Sequence, residues 1–360
     1  MTGGEHKAAA ASMELLAPAG NMECLKAAVQ SGADAVYFAG KQFGARSFAE
    51  NFSDAEINEA AKYCRLYGVK SYVTVNTMTL DREFFPLDRF VAVLASAGVD
   101  GVIVQDLGVM ERIHQICPEL PLPASTQMTV HNLSGVRELE KLGASRVVLA
   151  RELSERDMAY IIRHCQAEVE VFVHGAMCMS YSGQCLMSSV LGGRSGNRGR
   201  CAQPCRLSYH AKNSKEQFYL SLKDMSLLSH LKQLSKMGVA SLKIEGRMKG
   251  PEYVSTVVGI YRRCLDTMQQ PTKEELSRIN RVFFRGGLTD GYFAGKIGVS
   301  MFAFDKPDNP YAQNTRESLT LEKIPERTVD AVCRAVFLEG AVPPSNRVPS
   351  RPAVSRWTQR

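Results

Sequence analysis

Four cysteines, Cys178, Cys185, Cys201 and Cys205, fall within 28 residues of this 360-residue chain, with six, fifteen and three residues between successive members. Thiolates this close in sequence can enclose one metal centre, whose positive charge offsets theirs. Zinc sites favour paired spacings of two to four residues, so the six-residue gap leans towards an iron-sulfur cluster. Zinc and ordinary buried or free thiols stay open on spacing alone. Ser180, Ser182, Gly183, Gly192, Gly193, Gly196 and Gly199 lie between the cysteines, and small residues let backbone amides approach a cluster's sulfides. The other six, Cys24, Cys64, Cys117, Cys165, Cys264 and Cys333, are scattered singly and read as small hydrophobes.

Other groups near the cysteines carry chemistry of their own. His174, four residues before Cys178, is a candidate base or substrate-orienting group, the plainer reading being a hydrogen-bonded histidine at a strand end. Ser182 and Ser188 are close by, but no Gly-x-Ser-x-Gly elbow accompanies them. Asp106, Glu152 and Glu245 can supply acid-base carboxylates, or simply pair with Arg151 and Arg247 as salt bridges. The stretch GGRSGNRGRCAQPCR brings Arg194, Arg198, Arg200 and Arg206 together with no acid. Such a loop either clamps nucleic-acid phosphates or caps the metal centre as a solvated cover.

Elements able to position these groups alternate along the chain. Short runs rich in Val, Ile and Leu predict eight strands at 14–18, 35–39, 71–76, 101–105, 122–126, 146–150, 169–174 and 241–246, separated by amphipathic segments. NMECLKAAVQSG opens after a Pro-Ala-Gly turn, and Ser53 with Glu56 fits a capping box ahead of a second helix. Eight βα repeats in about 260 residues predict a closed (βα)8, TIM-barrel-like α/β fold. Its active site then lies at the strand C-terminal ends, which selects Asn76, Gln105, Asp106, Ser125, Gln127, Arg151, Glu152, His174, Glu245 and Arg247. The seventh connection swells into an insertion, 175–240, that holds all four clustered cysteines.

Composition agrees with a globular protein: 45% of residues are hydrophobic and the net charge is +7. The N-terminal MTGGEHKAAAAS lacks the apolar core of a signal peptide, and no apolar run is long enough to span a bilayer. The expected address is the cytoplasm, where clustered cysteines bind metal more often than they form disulfides. The domain reading is a disordered tail over 1–12, the barrel over 13–270, an extension and the start of a truncated further domain over 271–332, and a disordered basic tail over 333–360.

The segments ELLAPAGNMECLKAAVQSGADAVYFAG, ASTQMTVHN, RVVLARELS, EVFVHGAMCMSYSGQCLMSSVLGGRSGNRGRCAQPCRL and SLKIEGRMKGPEYV together resemble the collagenase-like peptidase family of unassigned catalytic type, the U-32 peptidases, from about residue 13 to about 310. The chain is most similar to long members that look like 23S rRNA cytidine hydroxylation proteins. The resemblance implies a four-iron four-sulfur (4Fe-4S) cluster on Cys178, Cys185, Cys201 and Cys205. It also implies hydroxylation of a pyrimidine in rRNA or tRNA, with prephenate as a co-substrate. On this reading His174, Asp106 and Glu152 handle protons while Arg194, Arg198 and Arg200 meet RNA phosphates. The family name implies peptide-bond hydrolysis as the alternative, and ubiquinone-pathway members imply a non-catalytic cluster protein as a third. Long members continue beyond the FDKPDNPY segment into a further domain; here the similarity gives way to the basic tail, so a fragment or frame-shifted chain is expected.

Overall fold

The computed structural model describes residues 13–181, 184–210, 215–305 and 327, together with the backbone of 329–332 and 354–357. The expected tails at 1–12 and over most of 333–360, and the truncated domain over 306–326, lie outside the described residues. Within the basic tail, Val354–Trp357 pairs antiparallel with Val329–Val332.

Eight parallel strands close into a barrel. Seven of them follow one another in chain and space, namely β1 (Glu14–Pro18), β2 (Ala35–Phe38), β3 (Lys70–Val75), β4 (Gly101–Val104), β5 (Pro123–Ala124), β6 (Arg146–Val148) and β7 (Glu168–Gly175). A short strand, β8 (Asp224–Ser226), then runs antiparallel to the end of β7. The eighth barrel strand, β9 (Ser241–Ile244), pairs with both β7 and β1 and completes the circle. One more strand, β10 (Leu288–Thr289), extends β8 on the outside. The predicted strands and their order are all present, although β5 is reduced to two residues.

Helices wrap the outside: α1 (Met22–Gln30), α2 (Asp54–Leu66), α3 (Phe84–Ala97), α4 (Leu107–Ile116), α5 (Leu133–Lys141) and α6 (Glu155–His164) cover the first six connections. In the insertion, α7 (Met187–Gly192) precedes α8 (Leu231–Met237); α9 (Pro251–Thr267) and α10 (Lys273–Val282) follow β9. Their starts obey local chemistry. Asn21, Ser53, Asp106, Asn132, Ser154 and Thr272 each accept a hydrogen bond from a first-turn amide, and Ser53 with Glu56 forms the expected capping box. In α9, Val254, Val257, Val258 and Tyr261 are fully buried, each side chain contributing about 1.5–3 kcal/mol of apolar burial.

The barrel lumen is polar where many barrels are apolar. Around a small core of Leu16, Ala35, Tyr37, Tyr72 and Ile103, Arg146 bridges Glu14 at 2.5 Å and Glu170 at 3.1 Å, and Lys243 binds Glu170 at 2.7 Å. These charges are almost fully enclosed, so losing one partner would strand the others at a cost of about 3–5 kcal/mol. No helix among the described residues is long and apolar enough to cross a membrane.

Candidate functional site

A cavity of about 580 Å³ opens at the C-terminal ends of the strands, the end where barrels of this kind carry their active sites. Its floor comes from side chains that point inward along alternate strand positions: Tyr37, Thr74, Asn76, Ile103, Phe172, Lys243 and Glu245. Its other side is the insertion, which brings Cys178, Cys185, Cys201 and Cys205 to the same cavity. Among the described residues, six arginines and two lysines line it, against one carboxylate, Glu245.

The insertion leaves β7 through Gly175, whose φ of 105° suits glycine and where a Cβ would sit 2.7 Å from the Glu245 carbonyl. From there the cysteine loop is fastened to several barrel loops. The Gly199 carbonyl accepts from the Ser47 amide and hydroxyl at 3.2 and 2.9 Å, and the Asn197 carbonyl accepts from the Met78 amide at 3.1 Å. Arg206 donates to the carbonyls of Leu222 and Met177 at 2.5 and 2.6 Å. Inside the loop, Ser188 Oγ accepts from the Ala202 amide at 2.8 Å.

Cys178, Cys185 and Cys205 are partly buried and Cys201 is exposed. Burial pushes the Cys178 thiol up, and Cys205 and Cys185 push the same way; burial likewise raises Cys205, with Cys201 and Cys185 adding to it. Cys178, Cys185 and Cys201 thus each lie within electrostatic reach of Cys205. Among the described residues, no three His, Cys, Asp or Glu side chains are drawn together as tightly as one metal ion requires. Of the remaining cysteines, Cys24, Cys64 and Cys264 are buried and Cys117 and Cys165 partly so, while Cys333 lies outside the described residues.

At the floor, Glu245 binds Arg46 and Arg151, each at 3.2 Å. Burial opposes its ionisation, but Arg46, Arg151, Arg247 and Lys243 outweigh that and hold its carboxyl down at about 2. Arg247 donates to Thr74 Oγ1 at 3.0 Å, and burial together with Arg46 brings it down to about 10. The expected pairing of Glu245 with Arg151 is thus present, and Glu245 is occupied as a counter-ion.

The three expected proton-handling residues do not line this cavity. His174 is 2% exposed, because Val173 is an extra residue in the pairing of β7 with β9: Phe172 faces Lys243 and His174 already faces Ile244. That bulge turns His174 outward against α9, where Tyr261 Oη lies 3.4 Å from Nδ1 and Tyr253 packs nearby. Asp106 caps α4, accepting from the Val109 and Thr79 amides at 3.1 Å each. Glu152 is part-buried with Oε2 lacking a partner, and burial raises its carboxyl.

The three expected phosphate-binding arginines also differ. Arg198 is committed to Glu83, at 2.7 and 2.5 Å, and to the Met78 carbonyl at 2.7 Å, so it anchors the loop. Arg194 lines the cavity and stacks on the exposed Phe48 ring, 4.5 Å from its centroid. Arg200 is exposed. Tyr37, Arg46, Phe48, Lys243, Lys249, Phe283 and Arg285 also line the cavity and were not among the candidates. Lys243 shares a strand face with Glu245 and could have been found by that alternation, whereas Arg46 and Arg285 sit in irregular segments that give no periodic signal.

The fold and the cysteine-lined barrel mouth define an α/β-barrel protein with a site built between barrel and insertion. The sequence matches Peptidase family U32 over residues 20–301, and the chain belongs to that family. It is similar to the tRNA hydroxylation protein P1 of Bacillus subtilis, 39% identical over 78% of this chain and 72% of the relative. It is also similar to the 23S rRNA 5-hydroxycytidine C2501 synthase of Escherichia coli, 38% identical over 82% of this chain but only 47% of the relative. A collagenase of Porphyromonas gingivalis is 34% identical over 79% of this chain and 74% of the relative.

Proposed function

We propose that the chain hydroxylates a pyrimidine of tRNA or rRNA, using a 4Fe-4S cluster held by Cys178, Cys185, Cys201 and Cys205. The observation that carries this is the convergence of all four thiols on one cation-rich cavity at the catalytic end of the barrel. The donor set suits iron-sulfur: four soft thiolates in surroundings whose positive charge offsets that of an anionic cluster. When bound, the cluster supplies electron transfer or activation of a hydroxyl donor.

The chain's own residues then bind and orient. A base must leave its stack to be modified, and RNA loops present such bases. Asn76, Ser125 and Gln127 bring amide and hydroxyl groups to the lining. Phe48 and Arg194 offer a stacking pair, and Arg194 at the cavity and the exposed Arg200 are the candidates for phosphates. A small anionic co-substrate such as prephenate suits the floor of Arg46, Arg151 and Arg247. Relatives named for tRNA and rRNA hydroxylation support the reading.

Peptide hydrolysis, suggested by the collagenase relative, finds less support. The described cavity lining contains no histidine, and Glu245 is held by two arginines. The test is RNA mass spectrometry on cells with and without the protein. A pyrimidine heavier by one oxygen, present only with the protein, is expected; unchanged RNA in both, with collagen or casein cleaved by the purified protein, would replace this reading with the peptidase one.

A further inference from the structure

The helix α7 lies between Cys185 and Cys201, and one side of it is fixed inward. Ser188 is buried, and its Oγ accepts from the amide of Ala202, the residue after Cys201, at 2.8 Å. Positions two residues away along a helix point about 200° round, to the opposite side. Leu186 and Val190 stand at those positions, and with Leu191 they are 63, 80 and 69% exposed. The cavity lining passes from Cys185 to Arg194 and omits all three. The cysteine loop thus has two faces, one towards the cavity and an aliphatic one towards solvent. Leu186 is joined directly to Cys185, and Cys201 is itself exposed.

The charge of the insertion has one sign. From Gly175 to Lys215 there are six arginines and lysines and no Asp or Glu, so most of the net charge of +7 sits there. Arg198 is closed onto Glu83, and Arg206 onto backbone carbonyls. Arg200 is exposed, and its carbonyl accepts from Arg194 Nε at 3.0 Å, which keeps both cations beside the end of α7. An aliphatic centre with a cationic rim is complementary to a protein surface with an acidic rim. Nucleic acid matches this face less well, because bases seek ring faces and Leu and Val offer none.

We propose that the outer face of α7 docks a small acidic one-electron carrier protein, which delivers electrons to the cysteine-held cluster while RNA occupies the cavity on the other side. The proposal rests on the cluster reading above. One electron leaves the carrier, oxidising it, and reduces the cluster by one, with no bond made or broken and no proton moved. Electron-transfer complexes are weak and bury less than about 1,200 Å², which suits a patch built on one six-residue helix.

The experiment titrates the anaerobically purified protein with an acidic plant-type ferredoxin and with a flavodoxin by calorimetry, then follows cluster bleaching by the reduced carriers in a stopped-flow instrument. Binding is expected with at least one carrier, weakening steeply as salt rises from about 50 to about 500 mM. The double variant Val190→Glu, Leu191→Glu should weaken binding and slow bleaching about tenfold or more, since like charges then face each other. It should keep its iron, its bleaching rate with dithionite and its affinity for tRNA. Absence of binding by both carriers at the lower salt, or equal binding by the double variant, would overturn the proposal. So would a double variant that loses tRNA affinity or self-association instead, because RNA or a second copy is then the occupant. Iron content of the same sample separates failure of the cluster reading from failure of docking.

Discussion

Arg198 grips Glu83 through both terminal guanidinium nitrogens, at 2.7 and 2.5 Å, and so ties the cysteine loop to the segment between β3 and α3. This pair, with the Ser47 and Met78 contacts, holds the insertion over the barrel mouth without help from a disulfide.

Removing the pair should loosen the loop without unfolding the barrel. The Arg198 bonds hold the Glu83 carboxyl down to about 2. A carboxylate lowered on folding stabilises above its ordinary value near 4.5 and loses that contribution as pH falls towards 2. Both side chains are partly exposed, which limits the contribution to about 1 kcal/mol. Glu83→Gln should therefore speed tryptic cleavage in the 194–200 loop by about fivefold at pH 7; equal cleavage rates would refute the tether.

His174 should matter for stability and not for proton transfer. Burial pulls it down to about 4 from 6.5. A group that folds in its neutral form stabilises fully above the unfolded value, and stability drops as pH falls from 6.5 towards 4. The loss amounts to about 3 kcal/mol at most. Denaturant titrations at pH 7 and pH 5 should show a smaller pH difference in His174→Gln than in the wild type. A pH-activity profile altered by that variant, with stability unchanged, would restore His174 to the chemistry.

Glu245 is the sole acid among the described residues lining the cavity. Glu245→Gln removes the counter-ion of Arg46 and Arg151 and should lower stability by about 2 kcal/mol, less than a fully enclosed pair because Arg46 reaches solvent. Thermal unfolding reads this directly. Low millimolar phosphate, which can bind the uncovered arginines, should recover part of the loss; no phosphate effect would mean the arginines are not free to receive an anion.

The barrel was legible in the sequence because eight apolar runs keep their order and six of the helix starts carry their own side-chain caps. The cysteine wall was legible because all four thiols fall in one loop, which necessarily lies at the strand end where β7 stops. His174 misled because its position was counted along an unbroken strand, and the extra residue Val173 reverses its face. Asp106 misled differently: its place at a strand end was read as catalytic, when a short carboxylate ahead of a helix is equally a cap. Arg46 and Arg285 come from loops, and only the closed tertiary structure brings them to the cavity.

The central claim is that Cys178, Cys185, Cys201 and Cys205 hold one iron-sulfur cluster at the cavity. It is tested most directly by purifying the protein anaerobically and recording its visible spectrum with iron and sulfide content, beside Cys→Ser variants at each of the four positions. The account predicts a brown protein with about four irons per chain, and loss of colour and iron in the variants, while Cys117→Ser stays brown. A colourless wild-type protein that takes up no iron on anaerobic reconstitution, or one that keeps its full iron in Cys178→Ser and Cys205→Ser, would contradict it.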